Sequence, residues 1–228
     1  TRSVTELSER LSSLGFNVSL FSTLPILAPG DELVLPNKKL VDINLISEKN
    51  QNFFRQLTLP QLHASLLKAV SPKKKIIIHD NGIWFPRHHL VANFAKKHNL
   101  PLIISPHGML QPWALTQKKI KKKIAWKLYQ QRDLESATVL HAASELEVEA
   151  IRNSGLKQPI ALVPNGINMP LHTEFSSHQS HETSVLGSQL KTALFLSRIH
   201  PSKGLVELIK AWSIERPKGW RLVIAGPD

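Results

Sequence analysis

An apolar run from Thr192 to Leu196 feeds the stretch Ser197-Arg198-Ile199-His200-Pro201-Ser202-Lys203-Gly204, and a helical pattern from Leu205 to Trp212 leaves it. Arg198 and Lys203 therefore sit in a strand-to-helix loop beside a helix N-terminus. Backbone N–H groups there lack intrahelical partners and the helix dipole is positive, so an anion is favoured. A guanidinium grips phosphate oxygens in a bidentate way and an ammonium adds a point charge. The simplest ligand for such a pair is a diphosphate. The competing reading is two exposed cations in an ordinary surface loop, and the loop by itself does not choose between them.

The elements that would position this loop can be read along the 228 residues. Val4, Leu7, Leu11 and Leu14 have helical spacing and Gly15 closes that helix. Phe16 to Phe21 alternates as a short strand. Residues 24 to 47, with Pro25, Pro29, Gly30 and Pro36, read as loops with one strand, Val41 to Ile46. A helical region spans about Gln51 to Val70 and is interrupted near Pro60. Ile76 to Ile78 is a β-branched run of the kind found in buried parallel strands. His79 to Pro86 reads as a loop, followed by a helix ending near His98. Strands are predicted at Pro101 to Ser105, Thr138 to His141 and Ile160 to Val163. A long basic helix spans about Leu115 to Arg132. Ser144 and Glu147 form a capping box that opens a helix closed by Gly155.

This alternation predicts an α/β fold, a parallel sheet with helices on both faces. Residues 1–166 form the first domain, 167–190 a linker, and 191–228 the opening βαβ unit of a second domain. A hydrophobic content of 42% is enough for a packed core, and no cysteine is present, which excludes disulfides and fits a reducing cytoplasm. No apolar run reaches the roughly 20 residues of a membrane span. Lys and Arg exceed Asp and Glu by 29 to 17, a formal charge of +12, which favours anionic partners such as nucleotides, anionic lipid surfaces or nucleic acid.

Five motifs in order resemble glycosyltransferase family 4, whose members face two Rossmann-like domains across a cleft, the GT-B fold. They are His79-Asp80-Asn81-Gly82-Ile83-Trp84, Ser105-Pro106-His107-Gly108-Met109-Leu110 with Pro112-Trp113, Ala143-Ser144-Glu145, Val163-Pro164-Asn165-Gly166-Ile167-Asn168, and the Arg198–Lys203 loop. The resemblance covers nearly the whole chain. It implies a retaining transfer of a sugar from a nucleoside-diphosphate donor to an acceptor hydroxyl, in surface polysaccharide or lipopolysaccharide assembly. It implies no metal and no cofactor, and no Asp-x-Asp pair occurs. It also implies a fragment truncated at both ends, with little or no transferase activity alone. Glu207 and Glu215, and Glu174 and Glu182, have the family's Glu-x7-Glu spacing but lie outside its expected loop.

The resemblance assigns Arg198, Lys203 and Gly204 to the donor diphosphate. His107 matches a cleft-facing position, where a histidine could hydrogen-bond the sugar or the reacting hydroxyl; a structural turn residue is the other reading. Gly108 would let the backbone approach the ligand. Asp80 is the nearby carboxylate that could act as a base, with helix or turn capping as its alternative. Asn81, Gly82 and Trp84 would form a polar-aromatic acceptor loop, the first by hydrogen bonds and the last by stacking. Asn165 and Gly166 mark the domain crossover and its hinge. Trp113 reads as core, with a ligand contact as its alternative.

The basic helix carries a separate expectation. Ile120, Ile124 and Leu128 share one stripe. Trp126 and Tyr129 fall opposite, among Lys118, Lys119, Lys122 and Lys123. Lysines interleaved with aromatics suit an anionic membrane surface; the resemblance implies a sugar or lipid-linked acceptor and a place in the cytoplasm, peripheral on the inner face of a membrane. A solvated helix whose Trp packs under a neighbouring loop is the alternative. A basic, non-catalytic module for anionic membranes or nucleic acid is the rival from another class. Nucleic acid is disfavoured because no recognised binding motif occurs. A sugar-nucleotide epimerase of the same two-domain build is the third reading.

Overall fold

The computed structural model describes residues 2–24, 33–46, 59–71, 74–166 and 190–226. The chain divides into two compact units, Thr1–Ile167 and Asn168–Asp228. The first contains α1 (Arg2–Ser13), β1 (Ser19–Thr23), β2 (Asp42–Ile46), α2 (Pro60–Ala69), β3 (Ile78–Asn81), α3 (Pro86–Lys97) and β4 (Leu102–Ser105). It continues with α4 (Pro112–Thr116), α5 (Lys119–Ala125), a π-helical turn (Trp126–Gln130), α6 (Gln131–Glu135), β5 (Val139–Ala142), α7 (Glu145–Asn153) and β6 (Ile160–Leu162). The second holds β7 (Lys191–Leu196), a 3₁₀ turn (Pro201–Lys203), α8 (Leu205–Glu215) and β8 (Trp220–Ala225).

All strand pairs are parallel, as the βα rhythm predicts. β3, β4, β5 and β6 form one sheet in that order; β1 pairs with β2 and β7 with β8. Period-two alternation sorts the side chains of the four-stranded sheet. Leu102 and Ile104 of β4 share a core with Leu140 and Ala142 of β5, Ala92 and Ala95 of α3, Leu134 of α6, and Ala150 and Ile151 of α7. A second cluster joins Ile46, Leu62, Leu66 and Phe94, with Phe21 and Ile78 packed against it, and so ties β2 and α2 to α3. The intervening residues His79, Ser105 and His141 leave this core and carry the polar chemistry.

Three local expectations change. β3 does not end at Ile78 but runs through His79, Asp80 and Asn81, because backbone pairing with β4 continues to Asn81 opposite Ser105. The basic helix is not continuous: Lys118 turns left-handed (φ 52°) ahead of α5, and a π turn intervenes before α6. Trp113 is 44% exposed, so it is not a core residue. The linker at 167–189 and the stretch 51–58 of the expected early helix lie outside the described residues.

Candidate functional site

The carboxyl ends of β3, β4 and β5 bring together residues from three of the sequence motifs. Beyond β4, Pro106 to Met109 makes a tight turn closed by the Met109 N–H donating to the Pro106 carbonyl at 3.1 Å. Both central residues have positive φ, His107 at 50° and Gly108 at 74°. Histidine is one of the few side-chain-bearing residues enriched in that region, and the cost is of order 1 kcal/mol. A side chain at position 108 would lie against Gln111 and Glu147 as well as in a disfavoured conformation.

His107 and Asn81 meet across the strand ends, Nε2 to Oδ1 at 3.0 Å. The Asn81 amide has its orientation set from behind, because its Nδ2 donates to the His79 carbonyl at 3.4 Å. Oδ1 therefore faces the imidazole and only accepts, so Nε2 carries the proton. In the neutral ring Nδ1 is then a lone pair. None of the described residues is hydrogen-bonded to Nδ1. Burial pushes the His107 pKa below the ordinary histidine value of 6.5, with the Glu147 carboxylate opposing and His141 reinforcing that shift. Glu147 is fixed beside this turn by its capping box: its N–H donates to Ser144 Oγ at 3.4 Å and its Oε2 accepts from the Ala143 N–H at 2.7 Å.

A polar relay that the sequence reading did not anticipate runs across the same three strands. His79 Nε2 lies 2.7 Å from Ser105 Oγ, Ser105 Oγ 2.8 Å from His141 Nδ1, and His141 Nε2 2.9 Å from the Val163 carbonyl. A carbonyl only accepts, so His141 donates through Nε2 and, as a neutral ring, accepts at Nδ1. Ser105 thus donates to His141 and accepts from His79 Nε2–H. Each of the three bonds then pairs one donor with one acceptor. Burial lowers the His79 pKa, with the neighbouring His141 and His107 adding to it and Asp80 opposing. The relay ends one residue before Pro164, Asn165 and Gly166; the last two are exposed at the boundary of the first unit. No signal in the sequence marks Ser105 and His141 as partners; the adjacency of β3, β4 and β5 brings them together.

Asp80 is placed differently from Asn81. Its side chain is 11% exposed and Oδ1 lies 2.8 Å from His88 Nδ1 on α3, whose side chain is 10% exposed. Alternation turns Asp80 toward α3 and Asn81 toward His107. Gly82 (φ 121°) is buried against the same His88 ring, which a Cβ would approach to 3.1 Å, so it seats His88 rather than offering surface to a ligand.

Trp84 is also turned away from a stacking role. Its backbone is left-handed (φ 80°). Its N–H donates to Gln130 Oε1 and its carbonyl accepts from the Tyr129 hydroxyl, each at 2.6 Å. Its indole packs against the core beside Trp126, and among the described residues its buried N–H has no partner. Lys122 lies over the same indole at 5.4 Å and donates to the Ala114 carbonyl at 2.6 Å. Trp126, Tyr129 and Lys122 therefore face inward, and the expected open face of lysines interleaved with aromatics does not exist as such. The exposed lysines of this segment are Lys118, Lys119, Lys121, Lys123 and Lys127.

In the second unit, Arg198 and Lys203 are exposed on the connection from β7 to α8, at the carboxyl end of β7. Gly204, left-handed at φ 69°, precedes α8 and accepts the first helical hydrogen bond, from Leu208, at 2.9 Å. Among the described residues no group of three or more His, Asp or Glu side chains is arranged to hold a metal. No helix among them is long and apolar enough to cross a membrane.

The family profile of Glycosyltransferase Family 4 matches residues 1–169, which contain the whole strand-end site. No curated protein matches the chain.

Proposed function

The chain belongs to glycosyltransferase family 4, and from that membership we propose that it transfers a sugar from a nucleoside-diphosphate donor to an acceptor hydroxyl with retention of configuration. The reading rests on one observation above the others: His107 has its Nε2–H engaged by Asn81 while Nδ1 is unengaged. A neutral imidazole in that tautomer accepts a hydrogen bond from a sugar or acceptor hydroxyl and takes up its proton as the new bond to the anomeric carbon forms. Asn81 and Gly108 shape the acceptor side of this group. Asp80 acts through His88 as a positioning residue, and Trp84 holds the loop rather than the sugar. Arg198, Lys203 and the Gly204 turn bind the departing diphosphate and stabilise the charge that develops on it, with no metal required. Asn165 and Gly166 serve as the hinge.

The setting we propose is surface polysaccharide or lipopolysaccharide assembly, in the cytoplasm and peripheral on the inner face of a membrane. The acceptor is a sugar or a lipid-linked sugar. The test is turnover of a panel of nucleoside-diphosphate sugars by the protein. Release of nucleoside diphosphate with transfer, lowered about 10²- to 10⁴-fold by His107→Asn, supports the assignment. Turnover that is indifferent to His107→Asn, or an inverted product, contradicts it.

A further inference from the structure

The outer face of α5 and the π turn joins an apolar row to a border of lysines. Ile120, Ile124 and Leu128, one residue per turn, are 77%, 54% and 67% exposed. Exposed Lys119, Lys121, Lys123 and Lys127 border this row. The sequence holds no Asp or Glu between Asp80 and Asp133, so nothing in the segment neutralises these lysines. The inner face is fully committed, with Lys122, Trp126, Tyr129 and Gln130 gathered on Trp84. The π turn makes this division possible. The Gln131 N–H bonds back to the Trp126 carbonyl, five residues earlier, which shifts the helical register so that Tyr129 and Gln130 both reach Trp84 while Leu128 stays outside.

We propose that this face docks on an anionic bilayer, the helix lying in the interface with Ile120, Ile124 and Leu128 among the acyl chains and the four lysines at the headgroups. The proposal deepens the membrane setting proposed above and rests on it. It exchanges the aromatic side of the helix for the isoleucine side. Three features favour a bilayer over other occupants. A contiguous apolar row gains by leaving water, and lysine stems reach past it to keep their charge at the surface. Nucleic acid would use the aromatics for stacking, and these are inside. Protein interfaces are depleted in lysine and enriched in aromatics and arginine, the reverse of this patch.

The test is co-sedimentation of the 228-residue chain with phosphatidylcholine vesicles that contain or lack phosphatidylglycerol. No donor sugar is added, so failure leaves the transferase reading standing. Wild type should bind only the anionic vesicles. Lys119→Gln with Lys123→Gln should weaken partitioning about fivefold per lysine. Ile124→Gln with Leu128→Gln should leave a residue of binding that salt abolishes. His107→Ala should bind as wild type, and unchanged melting of the exposed-residue variants shows that each is folded. Equal binding to both vesicle types, or wild-type binding by both double variants, overturns the assignment. So does a dimer that Ile124→Gln dissociates, which would give the row to a second copy of the chain. Binding of RNA that depends on the lysines and not on Ile124 overturns it as well.

Discussion

Asn81 Oδ1 accepts the Nε2–H of His107 at 3.0 Å, and this bond selects which nitrogen of the ring faces outward. The tautomer, more than the histidine alone, is what the strand ends build. Burial lowers the ring's pKa below the ordinary histidine value of 6.5, which favours its neutral form.

A change at Asn81 should therefore move a pH profile. Asn81→Asp places a carboxylate against Nε2–H, which favours the imidazolium and raises the His107 pKa. The acid limb of turnover should shift upward, with the plateau at high pH reduced less than by His107→Asn. Turnover measured across pH 4 to 9 on both variants checks this; an unmoved limb would remove His107 from the proton transfer.

Asp80 should behave as a structural group. Asp80→Asn weakens a nearly buried pair with His88 and should lower stability by about 1–3 kcal/mol. Turnover per folded molecule should change only a few-fold. Denaturant titration beside kinetics separates the two effects, and a loss of turnover comparable with His107→Asn would restore Asp80 as a base.

Stability itself should depend on pH. His79 and His107 both have folded-state pKa values below 6.5. The unfolded chain then binds protons at a pH where the folded chain does not, so stability rises with pH through that window. The melting temperature should be level above about 6.5 and fall as the pH drops below it. His79→Gln should flatten the slope. Ser105→Ala interrupts both of its relay bonds and should lower the melting temperature at every pH.

Trp84 provides a local measurement. Gln130→Leu leaves the Trp84 N–H without its acceptor and should cost about 1–3 kcal/mol; Tyr129→Phe removes a single hydroxyl bond and should cost about 1 kcal/mol. Amide exchange at Trp84 should accelerate in both. Unchanged exchange would show that the left-handed backbone holds without these two bonds.

In the second unit, Arg198→Ala should weaken nucleoside-diphosphate binding roughly 10- to 100-fold by loss of charge-assisted hydrogen bonds. Lys203→Ala, which removes a single point charge, should weaken it less. Titration calorimetry on the protein reads both, and wild-type affinity in the arginine variant would move the diphosphate elsewhere.

Much of this was legible before any coordinates. The β-branched runs and the helices closed by Gly15 and Gly155 gave the parallel α/β pattern, since local propensity and burial agree there. The capping box at Ser144 and the His107–Gly108 turn were visible as motifs. What stayed hidden depended on tertiary partners. His79-Asp80-Asn81 is a poor strand by propensity, and only pairing with β4 extends it. Periodicity grouped Ile120 with Ile124 and Leu128, and Trp126 with Tyr129, but did not say which group faces the protein. Contacts with Trp84 decide that, and no glycine or proline marks the break at Lys118 or the π turn. Ser105 and His141 are unremarkable in sequence; only adjacency of three strands makes them a relay.

The most direct test is a ¹⁵N NMR titration of the histidine rings with His107 assigned. The neutral Nε2–H tautomer with Nδ1 unprotonated, titrating below 6.5, is the predicted result. An Nδ1–H tautomer, or a ring that becomes charged well above that value, would contradict the account.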